Sequence, residues 1–130
     1  MLMGSSTIQE LTDTEGEIIR LLVEVGLKTN EARVLVVFFR GKEMTSRDIE
    51  RIADLRQPEV SVAITCLSKR RWVYVSNLIT ENKGRPVKLF DLKESVDEIL
   101  DELRDGICAG HEQQMVLLGK IREILYQGVE

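Results

Sequence analysis

The chain has 130 residues and a mass of 14.8 kDa, and 43% of its residues are apolar, which suits one domain with a real core plus an appendage. No apolar run approaches the roughly 20 residues that cross a bilayer. The opening Met1–Ser6 has neither the basic nor the long apolar stretch of a secretory leader. The net charge of −4 argues against a polyanionic partner until it is resolved by position. Residues 1–39 carry 3 basic and 6 acidic side chains and residues 92–130 carry 4 and 9, but residues 40–91 carry 11 and 7. From Lys69 to Lys88 there are 6 cations against Glu81 alone, and the local field, not the total charge, decides where a polyanion docks.

In chain order, residues 1–14 form a polar N-terminal segment expected to be flexible. A first helix is expected from Glu15 to Val25, with Ile18, Leu22 and Val25 on one face, Ile19 and Val23 beside them, and Gly26 as its C-terminal cap. The run Val34–Phe39 suits a buried strand as well as a helix. Thr29 as cap, Glu31 in the first turn and Gly41 after the last apolar residue favour a helix over 30–40, apolar on most sides and central to the core. Thr45-Ser46-Arg47-Asp48 has capping-box spacing and opens a short helix over 46–53 that buries Ile49 and Ile52 or Ala53. A turn from Asp54 to Gln57 leads to Pro58, which suits a helix's first turn, and a second helix over 58–71. Strands are expected at 72–79 and 87–92 around a seven-residue tip, 80–86. Val96, Ile99, Leu100, Leu103 and Ile107 then recur at helical spacing, with a break or kink at Gly106 and Gly110, before Leu117, Leu118, Ile121, Ile124 and Leu125 resume the stripe.

Helix, turn, helix and hairpin in that order give a mostly α (α+β) fold: a winged helix-turn-helix domain over 15–94 with an N-terminal helix, followed by long C-terminal dimerisation helices over 95–130. On a helical wheel, Val60, Ala63, Ile64 and Leu67 face the core, while Pro58, Ser61, Val62, Thr65 and Lys69 face out. Small uncharged residues allow close approach to base edges. Hydroxyls can bond several bases, and Val62 can touch a thymine methyl. Arg56 and Gln57 stand near the helix N-terminus, within reach of phosphate or base. Lys83 and Arg85 on the wing suit phosphate or a narrow minor groove. The DNA-binding set is therefore Arg56, Gln57, Ser61, Val62, Thr65, Lys69, Lys83 and Arg85. As alternatives, the face is an ordinary tolerated surface, and Lys69, Arg70 and Arg71 are cations placed to suit a helix C-terminus.

Gly26-Leu27, followed by Glu31-Ala32-Arg33-Val34, resembles the opening motif of TrmB-type archaeal transcriptional regulators. Leu67-Ser68-Lys69-Arg70-Arg71-Trp72-Val73 is similar to the end of their recognition helix, with Arg71 where glycine is common. Lys83-Gly84-Arg85-Pro86-Val87-Lys88 resembles the wing of these and of related MarR-like and ArsR-like proteins. The resemblance spans about residues 20–95 and implies an archaeal winged-helix dimer that binds operator DNA. Larger TrmB-type members add a sugar-binding domain for which 130 residues leave no room, so a carbohydrate effector is not implied.

A two-fold regulator needs a dimer, because one winged helix contacts few base pairs. Ile99, Leu103, Leu117, Ile121 and Ile124 are the candidate interface. Because Gly106, Gly110 and Gln114 interrupt the heptads, a packed antiparallel arrangement that includes the first helix is favoured over a continuous coiled coil. Folding back on its own domain is the alternative. Cys108 and His111 have C-x-x-H spacing, but one such pair makes no zinc site without further ligands, and no metal or other cofactor is expected. Cys66 and Cys108 are too few for a disulfide framework, so a reducing cytoplasm is expected. No phosphate loop or nucleophile–base pairing is present, which indicates a non-enzyme. The leading expectation is a homodimeric regulator of double-stranded DNA with no membrane association and no assigned effector. Two rivals stay open: a protein-interaction module in a transcription assembly, and a metal- or metabolite-responsive repressor.

Overall fold

The computed structural model describes residues 10–81 and 84–127. Along the chain run α1 (Asp13–Glu24), α2 (Thr29–Phe38), α3 (Ser46–Ala53), α4 (Gln57–Lys69), β1 (Val73–Glu81), β2 (Arg85–Leu92) and α5 (Val96–Gln127). They fall into two units, one ending at Ser95 and the other beginning at Val96. The mostly helical winged helix-turn-helix expected from the sequence is the fold observed.

Helix α1 starts two residues before the expected boundary because Thr12 caps it. The Glu15 amide donates to the Thr12 hydroxyl, and the Thr12 amide donates back to the Glu15 carboxylate. Residues 12–14 therefore belong to a capped helix and not to a flexible tail, while residues 1–9 lie outside the described region. The buried side of α1 is Ile19 and Leu22; Ile18 and Val25, expected on that side, are exposed. The helix closes where expected. Gly26, at φ 120°, donates to the Val23 carbonyl and Leu27 to that of Leu22, a backbone closure that glycine adopts without strain.

Helix α2 is the centre of the first unit. Ala32, Val34, Leu35, Val36, Val37 and Phe38 are all buried, as the nearly all-round apolar pattern predicts. Its cap position is Lys28, which makes no side-chain capping bond; Thr29 is already helical. The Arg40 guanidinium, just past its end, grips the Glu15 carboxylate of α1 through two bonds of 2.7 Å and also donates to the Glu10 carbonyl. That fork is the first cause holding the Glu15 carboxyl at about 2, below its ordinary 4.5. Because the folded value is the lower one, the stabilisation is complete above pH 4.5 and fades as pH falls toward 2. Arg40→Met is expected to flatten that acid limb in a urea-melt series from pH 6 to 2; an unchanged pH profile would show that the pair contributes nothing.

Helix α3 carries the predicted capping box, with Thr45 and Asp48 exchanging bonds of 3.1 and 3.2 Å, and buries Ile49, Ile52 and Ala53 together. Its end is held from the core. The Arg33 guanidinium of α2 donates to the Ala53 carbonyl through Nε, at 3.0 Å, and through Nη2. Asp54 then turns the chain in the left-handed region at φ 56°, which short Asx side chains tolerate better than most. This clamp and turn set the angle at which α4 leaves α3.

Strands β1 and β2 pair antiparallel from Val73↔Leu92 to Glu81↔Arg85, with an irregularity between Val75 and Asn77 that twists the hairpin. Pairing reaches further toward the tip than expected, so the seven-residue tip shrinks to 82–84; Asn82 and Lys83 lie outside the described residues. A further bridge joins Met44 to Phe90, each amide donating to the other's carbonyl at 2.9 and 2.8 Å. The segment before α3 thus serves as a one-residue third strand, and it fixes the hairpin to the start of the helix-turn-helix.

In the second unit, α5 runs as one helix of 32 residues. The break expected at Gly106 and Gly110 does not occur, so a single helix replaces the several expected. Each glycine costs about 1 kcal/mol relative to alanine in a helix interior. Good helix formers on both sides, among them Leu103, Ala109, Met115 and Leu117, carry the helix through. Among the described residues, no helix is long and apolar enough to cross a membrane.

Candidate nucleic-acid interface

The site is built on α4. Val60, Ala63, Ile64 and Leu67 are buried, and this fixes the opposite side of the helix outward: Pro58, Ser61, Val62, Thr65 and Lys69 are all exposed. Arg56 occupies the cap position, one residue before the helix, and Gln57 is its first residue; both are exposed. Glu59 is engaged locally, its carboxylate accepting the Arg56 amide at 2.9 Å. Between Glu59 and Lys69 the helix carries no charged side chain. Its face is therefore neutral, with cations at both ends.

The tertiary structure brings Gln57, Ser61, Thr65 and Lys69 into one groove with Ser46 at the start of α3 and with Val75, Lys88 and Phe90 of the hairpin. Its volume is about 540 Å³. A second depression runs between α3 and β2, lined by Ser46, Arg47, Glu50 and Lys88 among others. Val62 belongs to the other flank of α4, where it lines a hollow with Pro58, Cys66 and the start of α2 from Lys28 to Glu31. Arg85 is exposed at the start of β2 and lines none of these grooves. Lys83 lies outside the described residues, next to Gly84, whose φ of 79° makes the turn. Lys88 and Arg47 join the cationic rim only through the hairpin register and the direction of α3. Nothing in their local sequence distinguishes them from ordinary surface charges.

The far end of α4 is closed by backbone bonds from Arg71 to Ser68 and from Trp72 to Leu67, with Arg71 at φ 67°. This is the position where the resembled motif carries glycine, and the left-handed backbone explains the preference. A side chain there costs on the order of 1–2 kcal/mol. Arg71→Gly is accordingly expected to raise the unfolding free energy by about 1 kcal/mol, partly offset by the greater freedom of glycine in the unfolded chain. Urea denaturation checks it, and a destabilised variant would contradict it. Next to this closure, the Arg70 guanidinium lies 4.9 Å from the centre of the buried Trp72 ring and 3.9 Å from the carboxylate of Glu31. Arg70 is thus directed toward the core side of α4 rather than the groove.

Along α5, Ile99 is buried and Leu103 half-buried, while Leu117, Ile121 and Ile124 are each more than half exposed. Cys108 is exposed, as is His111. Among the described residues, no three His, Cys, Asp or Glu side chains gather as a metal site would require.

No protein-family model and no curated protein matches this chain. Solved structures do match it. A possible transcriptional regulator from Methanosarcina mazei Go1 superposes with a TM-score of 0.64 at 11% identity, over 81% of this chain and 87% of that one. TrmBL2, described as an archaeal chromatin protein with a novel mode of DNA binding, gives 0.67 at 16% identity, over 88% of this chain but 41% of its own. A MarR family transcriptional regulator from Silicibacter pomeroyi DSS gives 0.51 at 18% identity, over 85% and 80%. At these identities the likeness is one of fold, the winged helix-turn-helix with a long C-terminal helix.

Proposed function

We propose that this protein is a sequence-specific regulator that binds double-stranded DNA as a homodimer, with α4 in the major groove and the wing on phosphate or the minor groove. The observation that carries the reading is the neutral outer face of α4, bordered by Arg56 at one end and by Lys69 and Lys88 along the groove. A helix without charge on its outer side can approach base edges, while cations at its margins hold the phosphates. The solved structures of the same fold, regulators among them, agree with it.

The continuity of α5 supports the dimer. Val96, Leu100, Leu103, Ile107, Gly110, Gln114, Leu117, Ile121 and Ile124 follow an alternating 4–3 spacing without a slip along one helix. Gly110 and Gln114 occupy places in that register instead of interrupting it, and Gly106 lies outside it. A seam of this kind pairs with a second helix of like pattern, and a polar residue such as Gln114 within it selects the register of pairing. Closed two-fold symmetry makes a second copy the default partner.

The test is a fluorescence titration of a pool of genomic fragments at several salt concentrations. A dimer that engages roughly 5–9 phosphates should give a log–log salt slope of about −4 to −8. Binding that is absent, or that ignores salt, would end the reading.

A further inference from the structure

The outer face of α4 carries a base preference, an inference that rests on the DNA-binding reading above. At about 100° per residue, the point opposite the buried Val60, Ala63, Ile64 and Leu67 falls between Val62 and Thr65. Val62 is 64% exposed, an aliphatic side chain open to solvent on an otherwise well-packed helix. Thr65 offers less polarity than its name suggests. Its hydroxyl donates to the Ser61 carbonyl at 2.9 Å, so its one proton is spent inside the helix. The neighbouring carboxylate of Glu59 is occupied by the Arg56 amide. Pro58, one turn earlier on the same side, adds another exposed apolar surface. The middle of the face is therefore aliphatic but for the Thr65 oxygen, which can still accept, and Lys69 continues it at the end of the helix; Gln57, Ser61 and Ser68 sit on the flank that lines the groove toward the hairpin.

We infer that α4 selects its site by apolar contact with pyrimidine 5-methyl groups, Val62 and Thr65 packing against thymine methyls exposed in the major groove. The 5-methyl is the one apolar group that a T·A pair presents there, and G·C pairs lack it. Both pairs present one amino donor and two acceptors in this groove, so against an aliphatic centre the methyl contact that a G·C pair cannot make is what separates them. Arg56, Lys69 and Lys88 supply charge without discrimination, so the preference comes from the two methyl-bearing side chains.

Uracil isolates this contact, because it lacks only the 5-methyl and keeps the pairing edge of thymine. A duplex selected from a random pool by the full chain is resynthesised with uracil in place of every thymine, and both forms are titrated by fluorescence anisotropy. The uracil duplex should bind about fourfold more weakly for each methyl contacted, or roughly fifteenfold for two. The double variant Val62→Ala, Thr65→Ser, altered only at exposed positions, should bind the thymine duplex about as weakly as the unaltered chain binds the uracil duplex, with a thymine-to-uracil ratio near one. Equal affinity of the unaltered chain for both duplexes overturns the inference and leaves the DNA-binding reading standing. A ratio that persists in the double variant also overturns it, because the methyls then act through duplex shape. Failure to enrich or bind any duplex overturns the DNA-binding reading as well.

Discussion

Replacing Lys69 and Lys88 together with alanine is expected to weaken duplex binding by roughly 100-fold for each chain engaged at about 0.1 M salt and to make the log–log salt slope shallower by about 2 per chain. The two lysines come from different elements, the end of α4 and the middle of β2, yet they border the same groove. Each is exposed, so neither contributes a packed core contact, and the folded state should tolerate both changes. The effect should therefore appear in affinity and salt dependence and not in the unfolding midpoint. Anisotropy titrations from low to moderate salt, paired with a thermal melt, separate the two. An unchanged slope would mean that phosphates do not lie along this groove, and the placement of the duplex would be wrong. Changing Arg85 alone should have a smaller effect, since it stands apart from the groove.

Trp72→Ala is expected to cost about 3–5 kcal/mol of stability. The ring is only 2% exposed and is stacked by Arg70, and the backbone ties two elements together. The Trp72 amide closes α4 on Leu67, while its carbonyl accepts the Lys93 amide at 2.7 Å beyond β2. Losing the ring leaves a cavity at the joint between α4 and the hairpin. For a domain whose whole stability is on the order of 5–15 kcal/mol, that loss approaches global unfolding. Circular dichroism in urea measures it, since Trp72 is the only tryptophan and its fluorescence disappears with it. A cost below about 1 kcal/mol would mean that the joint is held by backbone bonds alone, because full burial of one large apolar side chain is worth more than that. Trp72→Phe should fall between the two and keep the hairpin in place.

Much of the fold is local in origin. The capping box at Thr45 and Asp48, the glycine closure at Gly26 and the proline in the first turn of α4 each act within five residues, so each can be read from neighbours in the chain. The buried side of α4 follows from periodicity alone for the same reason. Where the reading depended on more than local pattern it shifted. The buried side of α1 turned to Ile19 and Leu22 because α2 decides which side is covered. The strands reached closer to the tip because cross-strand bonds extended past the turn residues.

The sequence by itself determined the order of helices and strands, the neutral side of α4 and the concentration of positive charge between residues 69 and 88. Only the tertiary structure decided which of those charges meet. Lys88 joins Lys69 through hairpin register, Arg70 turns away toward Trp72 and Glu31, and Thr65 spends its proton on Ser61. Met44 forms a bridge to the hairpin because Phe90 lies beside it, and Arg33 fixes the end of α3 from twenty residues away. The division has one physical cause. Propensity and capping are settled by atoms a few residues apart, whereas the convergence of distant side chains is settled by packing and register, which exist only once the chain has folded.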